Sequence, residues 1–203
     1  MSPPQKLERR GLRVENRKRR RGRSPRDGRR PNLEQALKRV KLFLCDVDGV
    51  LTDGMVAMGE GVETKQFNIR DGLGLRILQG NGIKVGWVSR RPSSATRQRA
   101  DDLGIDFLMQ GDGGKTAFVE SILRQTGLNW SAVCYIGDDI VDLGVLNRAG
   151  VAVTVGDGVT EARAAADYVT RAAGGHGAVR EMVELILQAQ HKWNHTVAEY
   201  EEL

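Results

Sequence analysis

Five short β-rich runs, at residues 41–45, 84–88, 106–109, 132–136 and 151–154, alternate with helix-like segments near 71–80, 93–103, 114–126, 139–148 and 159–166. A chain that returns to a strand after each helix settles into a parallel sheet with helices on both faces. Helix starts are marked by Ser93 and Ser94 after Pro92, and by Asp138 and Asp139 before Ile140. A last amphipathic helix over about 177–191 turns Val179, Met182, Val183, Leu185, Ile186 and Leu187 toward the sheet. One stretch breaks the alternation. Residues 55–67, with Gly59, Glu60 and Gly61 at the centre, read as a β-hairpin projecting from the end of the first strand. The 25 residues between Ser89 and Lys115 are used up by one strand-helix unit, so no second insertion is expected.

Length and charge narrow the organisation. A chain of 203 residues, 40% apolar, can bury one good core but not two. Residues 1–30 hold 13 Lys/Arg against 3 Asp/Glu, leaving 18 basic and 23 acidic residues in the remainder. The expected division is a disordered basic tail over 1–31, a folded domain over 32–190 and a C-terminal tail over 191–203. The tail's arginine clusters suit RNA, DNA or anionic lipid, but no aromatic residue interleaves them to stack on bases; a dispensable extension is the competing reading. No apolar run approaches the roughly 18 residues needed to cross a membrane. The Arg-rich start has no apolar segment behind it, so it does not read as a secretory signal and the cytoplasm is expected. Cys45 and Cys134, each in an apolar run, read as reduced and buried.

Chemistry gathers at the strand ends, where open parallel sheets bind ligands. The first run, from Lys41 to Cys45, stops in Asp46-Val47-Asp48-Gly49, two carboxylates on the same side of the chain. Carboxylates so close need a cation, or a proton on one of them. The second run ends in Ser89-Arg90-Arg91, the third is followed by a glycine-rich turn and Lys115, and the fourth ends in Gly137-Asp138-Asp139 with Asp142 a turn later. Blander readings compete. Asp46 to Gly49 also opens calcium loops, but Val50 takes the third ligand position and a strand precedes it. Gly137-Asp138-Asp139 also occurs in polymerases, for which the chain is too short. His191 and His195 are spaced like a helical metal pair but read as a solvated helix end, and Trp87 reads as core.

The order Asp-x-Asp-Gly, Ser, Lys, Gly-Asp-Asp resembles the haloacid dehalogenase superfamily of aspartyl-phosphate phosphatases, over about residues 38–190. The stretches 45–54, 67–72, 135–139 and 174–181 narrow the resemblance to the capless branch that hydrolyses 3-deoxy-D-manno-octulosonate 8-phosphate in lipopolysaccharide synthesis. It implies an α/β, Rossmann-like three-layer sandwich with a small hairpin flap and no cap domain. It also implies Asp46 as nucleophile, Asp48 as general acid and base, and Ser89 and Lys115 on the phosphoryl group. Mg²⁺ would be held by Asp46, the Asp48 carbonyl and Asp138, with Asp139 and Asp142 behind them. Asp48, Asn68, Ile69, Arg70, Asp71, Gly72, Arg76, Arg91, Arg99 and Lys115 would meet the phosphorylated sugar acid. A homotetramer, in which a partner's hairpin and C-terminal tail complete the rim, is implied as well. Two departures stand out: Arg90 where the branch carries glycine, and His176 where many members carry arginine. A nine-carbon, sialic-acid-like 9-phosphate is the alternative substrate. A non-catalytic nucleic-acid-binding protein, acting through its tail, is the alternative from another class.

Overall fold

The computed structural model describes residues 32–59 and 62–202; the basic tail expected over 1–31 lies outside them. Six parallel strands form one sheet: β1 (Leu42–Cys45), β4 (Lys84–Ser89), β5 (Phe107–Gln110), β6 (Val133–Gly137), β7 (Val151–Thr154) and β8 (Tyr168–Val169). Their order across the sheet is β5-β4-β1-β6-β7-β8. The chain leaves β1 toward β4 on one side and returns to β6 on the other, so the strand order reverses beside β1. That reversal opens a crevice at the carboxyl ends of β1, β4 and β6. A two-stranded hairpin, β2 (Ala57–Gly59) and β3 (Val62–Thr64), stands apart as a separate antiparallel unit.

Alternation along β1 shows how the layers form. Leu42 and Leu44 point into one core with Val119, Ile122, Val145 and Ala162, from α4 (Lys115–Thr126), α5 (Leu143–Leu146) and α6 (Thr160–Ala165). Phe43 and Cys45 point the other way, into a core with Ala36, Leu75, Ala100 and Met182. Those four come from α1 (Leu33–Leu37), α2 (Ile69–Gly80), α3 (Ser94–Leu103) and α7 (Ala178–Ala189). A strand covered on both faces must be apolar throughout, which is why β1 carries no inward-outward polarity. Gly86 on β4 is part of this fit: a Cβ there would sit 2.7 Å from Leu44 Cδ2. Both cysteines are free and buried, and burial pushes the Cys134 thiol well up.

The segments beyond the strong periodic runs differ from expectation. The stretch after residue 191, expected as a C-terminal tail with a solvated helix end, contains a further helix, α8 (Trp193–Glu201). It is tied down by Lys192 Nζ donating to Asn81 O at 2.7 Å, by Asn81 Nδ2 donating to Thr196 Oγ1 at 3.1 Å, and by Arg180 stacked on the Trp193 ring at 5.1 Å. Trp193, Val197 and Tyr200 share one face of α8, too short a repeat among polar neighbours to stand out in the sequence. The short α1 and β8 escape for the same reason, being too brief to show a repeat. The 139–148 segment is a 3₁₀ turn at Ile140–Asp142, opened by a capping box between Asp139 and Asp142, followed by only one turn of α5. No helix among the described residues is long and apolar enough to cross a membrane.

Candidate active site

Asp46 leaves β1 directly after Cys45, and its backbone N–H still donates to Ile136 O at 3.0 Å, so it is held at the sheet's rim by the neighbouring strand. Its Oδ1 accepts the Val47 N–H at 2.7 Å and its Oδ2 lies 2.7 Å from Lys115 Nζ. Lys115 is the first residue of α4, and its side chain is almost wholly out of solvent. The same ammonium lies 2.6 Å from Asp142 Oδ1. One lysine thus bridges two carboxylates. Burial alone would lower its pKa, but the charges of Asp46 and Asp142 outweigh burial and raise it.

Asp142 is fully committed. Its Oδ1 receives Lys115 and the Tyr135 hydroxyl, and its Oδ2 accepts the N–H groups of Asp138 and Asp139 at 3.2 and 3.3 Å. Gly137 makes room for it, since a Cβ there would fall 2.4 Å from the Asp142 carboxyl carbon. Asp138 is the opposite case. Its Oδ1 is buried and has no hydrogen-bond donor among the described residues. Gly49, at φ +87°, faces it so closely that a Cβ would lie 2.1 Å from Asp138 Oδ2.

Carboxylate oxygens of Asp46, Asp138 and Asp142 lie within 4.8 Å of one another. Burial first, then the neighbouring carboxylates, push Asp138 up to about 8 and Asp46 up to about 6. Three carboxylates against the single ammonium of Lys115 leave two negative charges, and the orphaned oxygen of Asp138 is an open ligand position. The cluster fits a hard divalent cation. Asp138, with an oxygen that has no donor, is the group most open to it; each oxygen of Asp46 carries one contact and can take a second, whereas each oxygen of Asp142 already carries two.

Ser89, at the end of β4, is buried, and its Oγ accepts the Arg91 N–H at 3.0 Å. Asp46, Asp48, Ser89, Arg91, Lys115, Asp138 and Asp139 line one pocket at the strand tips, together with Arg90 and Val141. Arg90 is exposed there; the only described non-glycine residue at positive φ is His191, so the arginine imposes no backbone strain. The 68–72 segment lies elsewhere in the chain's own architecture. Asn68 caps α2 by accepting the Arg70 N–H and donates to Gly175 O, while Asp71 is buried and accepts the Arg180 N–H at 2.7 Å. Ile69 and Arg70 face solvent, and a Cβ on Gly72 would meet Arg99. Arg76 donates to Asp102 O and Arg99 pairs with the Asp102 carboxylate. None of Asn68, Ile69, Arg70, Asp71, Gly72, Arg76 and Arg99 lines the pocket around Asp46 in this chain. His176 Nδ1 meets Gly174 O at 2.7 Å, in the loop whose Gly174 packs against the Gly49 carbonyl.

Two site residues escaped sequence reading. Lys65, just past β3, has a side chain closed to solvent, with Nζ 2.6 Å from Asp48 Oδ1. Glu63, two residues back on the same face of the hairpin, meets Lys65 at 3.4 Å and Arg91 at 2.7 Å. Burial raises the Glu63 pKa, but Ser93, Lys65 and Arg91 together outweigh it and bring it below the usual range. The i, i+2 spacing of a glutamate and a lysine was the available signal, and it is too common on surfaces to single out.

Comparison with known proteins gives concordant matches. A family model described as haloacid dehalogenase-like hydrolase matches residues 107–182. The chain is 42% identical over 159 residues to the 3-deoxy-D-manno-octulosonate 8-phosphate phosphatase of Yersinia pestis, covering 78% of this chain and 85% of that protein. The crystal structure of the corresponding phosphatase from Moraxella catarrhalis, in complex with magnesium, phosphate and KDO, aligns with TM-score 0.81 at 40% identity, over 83% of this chain and 97% of the other. A cobalt-bound form from Haemophilus influenzae aligns with TM-score 0.76 at 39% identity, over 78% and 94%.

Proposed function

The chain belongs to the haloacid dehalogenase-like hydrolases, in the family of the 3-deoxy-D-manno-octulosonate 8-phosphate phosphatases, and from that membership we propose its substrate and the duty of each side chain. It is a Mg²⁺-dependent phosphomonoester hydrolase that releases phosphate from 3-deoxy-D-manno-octulosonate 8-phosphate. The observation that carries this reading is the meeting of Asp46 after β1, Asp138 after β6 and Lys115 at the start of α4, with a buried oxygen of Asp138 left for a cation.

Asp46 attacks phosphorus through a carboxylate oxygen and forms an aspartyl-phosphate, dividing one difficult hydrolysis into two steps. Lys115 lies against the same carboxylate, so its charge offsets that of the incoming phosphate. Asp48 gives a proton to the departing sugar oxygen, then takes one from the water that opens the acyl-phosphate. Ser89 turns its hydroxyl to a phosphoryl oxygen, and Arg91, at the pocket's edge, meets the sugar acid's anionic groups. Asp46, Asp138 and the Asp48 carbonyl would hold Mg²⁺, which would supply positive charge to offset that of the phosphoryl group. Asp139 and Asp142 support that set from behind.

The remaining sugar-acid contacts, from the 68–72 segment, Arg76 and Arg99, belong to a site completed between copies. Met55, Met58 and Ile69 are large apolar side chains, 73%, 71% and 80% exposed, on and beside the hairpin, a poor surface to leave in water and a suitable one for a partner copy. The assembly proposed is a homotetramer, acting in the cytoplasm. Phosphate release from a panel of sugar phosphates, with and without Mg²⁺, for wild type and Asp46→Asn, tests the reading. The octulosonate 8-phosphate is expected to be best, turnover to need Mg²⁺, and the substitution to abolish it without unfolding the protein. A better substrate outside the keto sugar acids overturns the specificity, and metal-independent turnover overturns the mechanism. Light scattering on the eluted protein checks the tetramer.

A further inference from the structure

Among the described lysines with ion pairs, two have side chains shut away from solvent. One is Lys115; the other is Lys65, which no catalytic role yet accounts for. A buried ammonium is costly unless anions and acceptors surround it. Lys65 has three: Asp48 Oδ1 at 2.6 Å, Thr96 Oγ1 at 3.2 Å and Glu63 Oε1 at 3.4 Å. Glu63 is itself fastened at both oxygens, by the Ser93 hydroxyl at 2.8 Å and by Arg91 Nη2 at 2.7 Å. The result is a chain of alternating charge, Asp48, Lys65, Glu63, Arg91. It starts at the tip of β1, passes through the hairpin, and ends in the loop after β4. Both end members line the same pocket.

The Asp48 carboxyl is divided by this contact. Oδ1 is closed to solvent and faces the Lys65 ammonium, without the angle of a directed hydrogen bond. The side chain as a whole keeps a quarter of its exposure. The accessible part therefore lies away from Oδ1, toward the pocket. A carboxyl fixed through one oxygen can no longer rotate freely and presents the other in one direction.

We propose that Lys65, backed by Glu63, is a positioning residue that orients the Asp48 carboxyl toward the leaving oxygen. The inference rests on the assignment of proton transfer to Asp48. It gives the hairpin a task inside its own chain: to set the aim of the acid from behind the pocket. Misplacement of a reacting group by about 1 Å can cost on the order of 10²-fold in rate, so a loose carboxyl is enough to impair the step.

The test separates aim from general stability by choice of leaving group. Loss of a sugar alkoxide requires a proton from Asp48, whereas 4-nitrophenolate departs unaided. Lys65→Met in the full chain is compared with wild type on the octulosonate 8-phosphate in the steady state, and on 4-nitrophenyl phosphate by the rate of its nitrophenolate burst. Turnover of the sugar phosphate is expected to fall about 10–100-fold with little change in KM, while the burst rate stays within about threefold. Glu63→Gln, which keeps an acceptor for Ser93 while removing the charge beside Lys65, should show the same split at smaller size, and serves if the lysine variant does not fold. Equal losses on both substrates, or none on either, overturn the inference. Wild-type turnover in the same series reports on the phosphatase reading separately, so the two failures are distinguishable.

Discussion

Lys115 and Asp142 form an ion pair of 2.6 Å, with the lysine side chain 2% exposed and the aspartate wholly buried, although 27 residues separate them along the chain. The pair aims the ammonium at Asp46 and at the same time ties α4 to the loop after β6. Removing Asp142 leaves Lys115 to Asp46 alone, strands the buried Tyr135 hydroxyl where water cannot compensate it, and frees the N–H groups of Asp138 and Asp139. Asp142→Ala should therefore cost about 3–5 kcal/mol of stability, and turnover with it. Urea unfolding checks this; a loss below about 1 kcal/mol would mean that the site relaxes far more than its burial suggests.

Tyr135 reaches the same carboxylate from β6, its hydroxyl donating to Asp142 Oδ1 from a fully buried position. Tyr135→Phe keeps the ring and deletes one hydrogen bond to a charged acceptor. The expected loss is about 1.5–3 kcal/mol, smaller than that of Asp142→Ala. The two variants combined should lose less than the sum of their separate effects, because both act on one oxygen. Strict additivity in a double-mutant cycle would count against the shared contact.

Gly49 gives a sharper probe of the cation site. Its φ of +87° disfavours any side chain, and a Cβ would enter the space of Asp138 Oδ2. Gly49→Ala should weaken Mg²⁺ binding by at least about tenfold, equivalent to roughly 1.4 kcal/mol. Titration calorimetry reads this directly. Unchanged affinity would place the metal away from Asp138.

The pH dependence follows from the sign of the carboxyl shifts. Asp46 and Asp138 sit at about 6 and about 8 in the folded protein, against an ordinary 3.8. Across that window the folded chain holds more protons than the unfolded one, so without metal these two groups lower stability as the pH rises from about 4 to about 8. Mg²⁺ replaces those protons. Its effect on the melting temperature should be larger near about pH 8 than near about pH 5.5, and differential scanning calorimetry at both values decides it.

How far the sequence could be read depends on the range of each signal. The central strands and most helices declare themselves locally, by apolar runs and by caps such as Ser93, whose Oγ accepts the Thr96 N–H. Asp46, Ser89, Lys115 and Asp138 were legible as candidates because each follows a strand end or a glycine turn. The helix at Trp193–Glu201 was not, since its anchors are single polar contacts to Asn81 and one cation on an indole. Lys65 was not, because just past a three-residue strand a buried lysine and an exposed one look alike.

Local pattern along the chain lays down the order of strands and helices and which reactive side chains stand at the strand tips, since both follow from periodicity and from where apolar runs stop. Which charges meet was settled by the folded arrangement. It sent Lys115 to Asp46 and Asp142, Lys65 to Asp48, and Arg91 to Glu63. Those pairings depend on the sheet order and on the paths of connecting loops. They join residues up to tens of positions apart, and no local pattern in the chain encodes the distance between them.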